Sequence, residues 1–142
     1  MKIITKKFDD LSVFELYEIL KLREKVFVYE QKCTDYEIDG LDQIAIHIAL
    51  FDNNKLCSYL RILKEDDYTY KIGRVLAEEK LKGYGKIIMD EALNYIKKLK
   101  AKKIIIESQV QAIGFYKKFG FSEASDVFME AGILHIKMIK EL

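Results

Sequence analysis

The stretch KLKGYGK, residues 80–86, has residue types that could bind an anion. Gly83 and Gly85 allow backbone conformations, and a close approach to a ligand, that a Cβ atom would forbid, so neighbouring amides can converge on an oxygen-rich group. A helix beginning here would add unpaired N–H groups and the positive end of its dipole. The stretch therefore predicts a pyrophosphate cradle. A glycine turn that only redirects the chain is the alternative that the stretch alone leaves open.

Two other phosphate-binding motifs do not fit this stretch. A P-loop places Ser or Thr after its lysine to hold magnesium, but Ile87 follows Lys86. A dinucleotide-binding fingerprint has three glycines after an early strand and an acidic residue about 20 positions further on, and the chain lacks this combination. A nucleoside triphosphate and a dinucleotide are therefore disfavoured as ligands.

Cysteine and histidine, which often bind metals, are few and scattered. Cys33 and Cys57 are far apart and belong to no C-x-x-C motif, and His47 and His135 are also far apart. The chain therefore predicts no metal site, and the cysteines are more simply explained as small buried hydrophobic residues.

The composition limits the class of protein. The chain has 24 Lys and Arg against 23 Asp and Glu, and its net charge of +1 gives no overall field that would attract nucleic acid or an anionic membrane. Its 142 residues suit one domain, residues 1–142. No apolar run approaches the roughly 20 residues of a membrane span, and the N-terminus lacks a signal peptide's apolar core. We expect a cytoplasmic protein that binds neither nucleic acid nor membranes.

The hydrophobic pattern predicts the elements that position the glycine stretch. A capping box at Ser12 and Glu15 begins a helix that runs to residues 27–30. An acidic loop or broken helix follows at residues 31–43. The predicted order is β-α-β-β-β-α-β-α-β-β, with the strand at 104–106 parallel to its neighbour because a helix connects them. The strands are predicted at 2–8, 44–51, 56–63, 68–75, 104–106, 121–129 and 132–139, and the later helices from the glycine stretch to about 100 and over 112–119, with Gly120 as C-cap.

Two motifs in this order of elements resemble a known family. Residues 80–85 read K-x-x-G-x-G, which is similar to the acetyl-CoA loop of the GCN5-related N-acetyltransferase (GNAT) superfamily. Residues 114–121, GFYKKFGF, resemble that superfamily's second signature, F-Y-x-x-x-G-F. Each motif alone is weak, but the two at this spacing and in this topology are strong.

The N-terminal half resembles the ElaA-like branch of that superfamily. The similarity lies in residues 22–31, LREKVFVYEQ, in the acidic loop, and in residues 132–136, GILHI. It implies a mixed α/β sheet with the acyl-CoA N-acyltransferase fold, in which the strands near 68–75 and 104–107 splay apart at one end to admit the cofactor. The chain departs from the pattern at Lys80, where Gln or Arg is usual, and at residues 108–111, where an Asn is often found.

The resemblance implies acetyl-CoA as co-substrate and assigns residues to it. Amides from Lys82 to Lys86 would hold the pyrophosphate, and a backbone N–H near Val75 or Leu76 would face the thioester carbonyl. The residues assigned to the cofactor are Val75, Leu76, Lys80, Lys82, Gly83, Tyr84, Gly85 and Lys86.

Tyr116 takes the place of the superfamily's catalytic tyrosine. A phenol with a pKa of about 10 is protonated at neutral pH and can donate its proton to a departing thiolate of similar basicity. The alternative is that Phe115, Tyr116 and Phe119 form a core stripe with the hydroxyl at the surface. For Phe115 and Phe119 we predict core packing.

The sequence indicates less about the residues that would bind and deprotonate the acceptor amine. Glu30, Asp42, Glu107 and His135 could each accept the ammonium proton, and Arg23 could pair with Glu30 on the first helix. The acidic loop at 35–42 suggests a cationic acceptor such as a polyamine, a lysine side chain or a peptide N-terminus, but a solvated loop explains it equally well.

We therefore predict an N-acetyltransferase that moves acetyl from acetyl-CoA directly to an amine of a small molecule or peptide. An acyl-enzyme is disfavoured because Cys33 and Cys57 lack an evident base and lie away from the two motifs. The alternative is a non-catalytic CoA-binding sensor or partner-binding module. A weaker hypothesis is nucleic-acid binding through the lysine-rich residues 97–103, which a solvated helix end explains more simply. The oligomeric state stays open, and the edge of the final hairpin is a candidate contact for a homodimer.

Overall fold

The computed structural model describes residues 1–79 and 82–142, and these residues form a mixed α/β fold around one eight-stranded sheet. The strand order is β1-β2-β3-β4-β5-β8-β6, and β7 also pairs with β8. Only β4 and β5 pair in parallel, as the connecting helix predicted; the other pairs are antiparallel. The strands are β1 Lys2–Lys7, β2 Ile46–Asp52, β3 Lys55–Lys64, β4 Thr69–Ala77, β5 Lys103–Gln109, β6 Ser122–Glu123, β7 Phe128–Glu130 and β8 Ile133–Glu141.

The helices agree with the predicted positions. Helix α1 spans Val13–Arg23 and continues as a π-helical segment, Glu24–Glu30, into the predicted end region. Helix α2 spans Tyr84–Lys98, and the short helix α3 spans Ile113–Lys117. Single 3₁₀ turns lie at Phe8–Asp10, Asp42–Ile44 and Val110–Ala112.

Alternation along the strands divides the core between the two faces of the sheet. Helices α2 and α3 cover one face, where Ile72, Ile106 and Tyr116 belong to one hydrophobic cluster. Helix α1 and the π-helical segment cover the other face, where Ile19, Phe27, Tyr59 and Leu76 form a second cluster. Each face of the sheet is therefore covered by its own helices, and residues of both clusters can approach the middle of the sheet from opposite sides.

One predicted strand is wrong in its extent. Residues 121–129 are not one strand but two short ones, β6 and β7, separated by a turn. The run ASDV between them, residues 124–127, lacks alternating apolar residues, and the Ser125 hydroxyl donates to the adjacent Asp126 carbonyl at 2.9 Å. The same hydroxyl accepts from the Lys137 N–H at 2.9 Å, in place of a backbone carbonyl. Serine and aspartate favour side-chain bonds to nearby backbone over a regular ladder, and the strand is interrupted there.

Two further structural findings bear on the predictions. Gly120 adopts a left-handed conformation (φ +91°) after the short helix, as expected of a C-cap. Within the described residues, no helix is long and apolar enough to cross a membrane.

The capping box at the start of α1 is confirmed, and it provides a stability test. The Ser12 hydroxyl accepts from the Glu15 N–H at 3.0 Å, and the Glu15 carboxylate accepts from the Ser12 N–H at 2.8 Å. We expect Ser12→Ala to lower the free energy of unfolding by about 1 kcal/mol, measured by urea denaturation. Ser12→Asp, which keeps a capping acceptor, is the matched control and should stay near wild type; equal stability of both variants would contradict the role of the cap.

Candidate functional site

The parallel pairing of β4 with β5 stops halfway along β4. The ladder runs from Thr69 opposite Lys103 to Ile72 opposite Ile106 and goes no further, although β4 continues to Ala77. Beyond this point β5 remains paired with β8, and β4 remains paired with β3. The two central strands therefore splay apart at one end, as the family resemblance predicted.

The splayed end of β4 has an irregular backbone. The register between β3 and β4 shifts between Tyr59 and Arg61, and Arg74 adopts a positive φ of +54°. Such a conformation is uncommon for a residue with a side chain and marks a local distortion of the strand. Val75 and Leu76, the residues assigned to the thioester carbonyl, lie in this distorted segment.

A cavity of about 1220 Å³ occupies the opening between the two strands. Its wall includes Ile106 and Tyr116 from the cluster under α2 and α3, and Phe27 and Leu76 from the cluster under α1. Because these residues belong to opposite faces of the sheet, the cavity passes through the sheet where β4 and β5 separate.

The glycine stretch lies at one end of this cavity. Gly83 precedes α2 in the left-handed conformation (φ +77°), and no side chain of the described residues caps the helix. The first helical bond runs from the Ile87 N–H to the Gly83 carbonyl at 3.1 Å, so the N–H groups of residues 84–86 have no intrahelical acceptor. Gly83, Tyr84, Gly85 and Lys86 all line the cavity.

Two lysines before Gly83 were also assigned to the cofactor. Lys82 does not line the cavity, and its ammonium pairs with Glu79 at 3.1 Å on the surface. Lys80 lies outside the described residues, so its assignment to the cofactor stays a prediction.

Gly85 has a packing role that the sequence did not indicate. A Cβ atom at this position would lie 3.3 Å from Cζ of Phe115 and 3.8 Å from Cβ of Ala77. The absence of a side chain at Gly85 therefore lets the first turn of α2 pack against α3. Through this contact the two signature motifs touch each other directly.

Tyr116 lies in the core and lines the cavity. It is 7% exposed and packs edge-on against Phe115 and Phe121, with ring centroids 5.2 and 6.2 Å away. Burial raises the pKa of the Tyr116 hydroxyl above its ordinary value, so the phenol is protonated at neutral pH. No hydrogen-bond partner for this hydroxyl lies among the described residues. Phe115 and Phe119 pack on the same core, as predicted.

Two residues predicted on the acceptor side lie instead in a buried ionic cluster. Arg23 is fully buried, and it donates to Glu37 and to Asp42, each at 2.7 Å. Arg61 also donates to Asp42, at 3.0 Å, and Arg74 donates to Glu37 at 2.8 Å. Neither Arg23 nor Asp42 lines the cavity. The ionic cluster consists of Arg23, Glu37, Asp39, Asp42, Arg61 and Arg74.

The ionic cluster explains most of the acidic loop. Of its carboxylates, Glu37, Asp39 and Asp42 are paired internally with arginines of α1, β3 and β4. His47 is buried and bonds the Tyr59 hydroxyl at 2.7 Å and the Asp42 carbonyl at 2.8 Å, so it too supports the loop. The loop is therefore held over the splayed strands by charge pairing.

Glu107 and His135 lie together on the cavity wall, whereas Glu30 does not. Glu107 accepts from the Lys71 ammonium at 3.0 Å. His135 lies opposite Phe128 in the β7–β8 ladder. Glu30 is exposed at the end of the π-helical segment, away from the cavity lining. Sequence reasoning missed Glu130, which also lines the cavity beside Glu107. Its only sequence signal is its place in the final hairpin, five residues before His135.

Cys33 is placed differently from expectation, because it lines the same cavity as the two motifs. Burial raises the pKa of its thiol, followed by the charge of Glu37, so the neutral thiol is favoured over the nucleophilic thiolate. Cys57 is buried within β3 and does not line the cavity. An acyl-enzyme on Cys33 is therefore disfavoured by the protonation of its thiol and not by its distance from the two motifs.

The sequence and the fold were compared with those of known proteins, and both have similar relatives. The sequence matches the family model described as acetyltransferase (GNAT) domain over residues 15–142. It is similar to protein ElaA of Escherichia coli, with 39% identity over 140 residues that cover 94% of this chain and 92% of ElaA. The crystal structure of E. coli ElaA superposes with a TM-score of 0.91 and 35% identity, covering 99% of both chains.

Two other solved structures resemble the chain. An acyl-CoA N-acyltransferase from Pseudomonas aeruginosa has a TM-score of 0.89 and 32% identity over 99% of both chains. An aminoglycoside 6'-N-acetyltransferase complexed with coenzyme A has a TM-score of 0.74 and covers 99% of this chain and 97% of its own; at 12% identity, it shares the fold alone.

Protonation of the ionic cluster links stability to pH. Hydrogen bonds from Arg61 hold the pKa of Asp39 well below its ordinary value. Burial alone would raise the pKa of Asp42, but hydrogen bonds and charge from Arg23 and Arg61 outweigh it and lower the net pKa. The unfolded chain therefore binds protons at a higher pH than the folded one does. The stabilisation is complete above the unfolded pKa near 4 and is lost as the pH falls through the lower folded values.

Asp42→Asn tests the ionic cluster. We expect it to lower the free energy of unfolding at pH 7 by about 3 kcal/mol, because Arg23 and Arg61 would lose a buried counter-charge. It should also weaken the fall in stability between about pH 5 and pH 3. Urea denaturation across that range measures both. Asp67→Asn is the control, since its side chain is 86% exposed and its pair with Lys64 lies on the surface; equal losses in both variants would contradict the role of burial.

Proposed function

This chain belongs to the GNAT family of acetyltransferases and to its ElaA-like branch, and on that premise we propose that it transfers acetyl from acetyl-CoA directly to an amine of a small molecule or peptide. One observation carries the proposal: a single cavity connects the N–H groups at the start of α2, which have no intrahelical acceptor, with the hydroxyl of Tyr116, which has no hydrogen-bond partner among the described residues. A diphosphate-bearing thioester needs an anion site for its diphosphate and a proton donor for its sulfur within one cavity.

The described residues fit coenzyme A at the first end of the cavity. The N–H groups of Gly83, Tyr84, Gly85 and Lys86 would donate hydrogen bonds to the pyrophosphate. The Lys86 ammonium, which pairs with Asp90 at 2.7 Å, would add a cation at the cavity mouth. The aminoglycoside acetyltransferase that was solved with coenzyme A has the same fold, which supports this use of the opening. The distorted end of β4 would supply backbone hydrogen bonds to the pantetheine arm and the thioester carbonyl.

The chemistry requires no covalent intermediate with the protein. The neutral amine nitrogen attacks the thioester carbonyl carbon, the C–S bond breaks, and the departing thiolate takes the Tyr116 proton. The nitrogen loses one proton to solvent as the amide forms, and the Tyr116 phenolate is reprotonated from solvent. Because burial keeps Tyr116 protonated, this donor is available at neutral pH. Because burial also favours the neutral Cys33 thiol, attack by the amine is the simpler route.

The direct test is thiol release from acetyl-CoA across a panel of primary amines. Amine-dependent release, with the acetylated amine detected by mass spectrometry, would support the transferase. Binding of acetyl-CoA without release from any amine would favour a CoA-binding sensor or partner-binding module instead.

Lys86→Glu tests the cofactor end of the cavity. We expect the affinity for acetyl-CoA to fall about tenfold, because a carboxylate would replace a cation beside the pyrophosphate. Isothermal titration calorimetry measures the change. Lys98→Glu, at the exposed opposite end of α2, is the matched control and should bind acetyl-CoA normally; equal losses would point to overall charge rather than a local site.

Tyr116→Phe tests the proton donor. We expect kcat to fall about 100-fold while acetyl-CoA affinity changes little, because the phenol acts on the leaving thiolate and not on binding. Phe119→Leu, on the same helix region but without a hydroxyl to lose, is the packing control. An unchanged kcat in Tyr116→Phe would remove Tyr116 from the mechanism.

A further inference from the structure

Three side chains form a polar wall on the part of the cavity that lies away from Tyr116. Ile106 and Ile136 face the core that contains Tyr116, so their neighbours along the strands, Glu107 and His135, point to the opposite face of the sheet. Glu130 reaches the same place from β7, and its carboxyl lies near that of Glu107. All three residues line the cavity, and Glu107, Glu130 and His135 are called the acceptor wall below.

The tight turn between β7 and β8 sets the position of Glu130. Ala131 and Gly132 both have positive φ, +53° and +78°, which is the geometry of a type I′ hairpin. The Ala131 carbonyl accepts from the Thr34 N–H at 3.1 Å, so the hairpin is also joined to the acidic loop. The turn therefore holds Glu130 beside β5 at the rim of the cavity.

His135 presents one free nitrogen to the cavity. It is 9% exposed, and its Nδ1 lies 2.7 Å from the Ile133 carbonyl. Because a carbonyl only accepts hydrogen bonds, Nδ1 carries the proton, and Nε2 of the neutral ring is left as an acceptor and a base. No partner for Nε2 lies among the described residues.

The charges of the acceptor wall are not balanced. The Lys71 ammonium neutralises Glu107 at 3.0 Å, but no cation of the described residues forms a salt bridge with Glu130. Burial and then the neighbouring Glu107 carboxylate raise the pKa of Glu130, as expected when two like charges lie together without enough counter-charge. The acceptor wall therefore lacks one positive charge.

The surrounding wall also has an excess of one negative charge. Away from α2 and α3, and apart from Glu107, Glu130 and Lys71, the lining has three carboxylates against two cationic side chains: Asp35, Glu37 and Asp39 against Arg61 and Arg74. The end at α2 instead offers N–H groups without an intrahelical acceptor and the cationic Lys86, which pairs with Asp90 at 2.7 Å. The charges of the cavity thus favour an anion at one end and a cation at the other.

Building on the proposed function, we propose that the acceptor is a primary amine bound as its ammonium by Glu107, Glu130 and Nε2 of His135, and that His135 is the general base. A primary ammonium has three N–H donors, and this wall offers three acceptors. His135 takes one proton from the ammonium nitrogen and passes it to solvent, which frees the lone pair for attack. After attack the nitrogen loses its second proton to solvent, the departing thiolate takes the Tyr116 proton, and the Tyr116 phenolate regains a proton from solvent, so one net proton is released per turnover.

Binding tests the site without relying on turnover. With CoA-saturated protein, we expect n-butylamine to bind at least about tenfold more tightly than 1-butanol, which is uncharged, and than butyltrimethylammonium, which has a charge but no donors. NMR titration measures all three. Glu107→Gln and Glu130→Gln should each reduce amine binding about tenfold, whereas Glu141→Gln, at the exposed far end of β8, should not. Equal binding of the three probes, no amine binding at millimolar concentration, or unaffected Glu variants would overturn the site.

Turnover tests the base separately. His135→Gln keeps a hydrogen-bond acceptor but cannot take a proton, so we expect butylamine binding to stay within a few-fold of wild type while kcat falls about 100-fold. An unchanged kcat would overturn the role of His135 as base. Absence of thiol release from the wild-type protein with every amine would overturn the proposed function and, with it, the role of His135 as base. The NMR titrations would still show whether the acceptor wall binds a primary ammonium.

Discussion

The site depends on the point at which two parallel strands stop sharing hydrogen bonds. Beyond Ile72 and Ile106, β4 and β5 have no ladder between them, and unpaired backbone groups are costly unless a partner or solvent satisfies them. The fold tolerates the opening because each strand keeps its other neighbour, β3 for β4 and β8 for β5. A cavity can therefore cross the middle of the sheet without dividing the structure, and ligands from opposite faces can meet there.

The buried ionic cluster holds the loop that borders this opening. Residues 31–41 contain no helix or strand, so their position has to come from side chains. The planar guanidinium groups of Arg23, Arg61 and Arg74 each bond more than one carboxylate or carbonyl, which fixes direction as well as distance. Since buried ion pairs recover little net free energy after desolvation, we attribute to the ionic cluster a specific loop conformation more than stability.

Local patterns in the sequence predicted most of the fold and one end of the site. Alternating apolar residues, the capping box at Ser12, and the glycines at 83 and 85 act over a few residues, and the structure places each where the pattern indicated. The resemblance to the family supplied Tyr116 and the splayed strands.

What the sequence could not predict depends on contacts between distant segments. Arg23 and Asp42 were expected at the acceptor, but their charges pair across 19 positions of sequence, which no local pattern records. Glu130 was missed because β7 is too short to show alternation, and only its pairing with β8 brings it beside Glu107. The predicted strand at 121–129 was wrong for a different reason, since the Ser125 hydroxyl bonds to nearby backbone and interrupts the strand.

The contact between Gly85 and Phe115 couples the two signature motifs energetically. A Cβ atom at position 85 would lie 3.3 Å from the ring at 115, so a larger residue there requires the ring to move by a few tenths of an ångström or to be replaced by a smaller side chain. Substitutions at the two positions are therefore expected to be non-additive, because a smaller side chain at 115 would relieve the crowding that a larger residue at 85 creates.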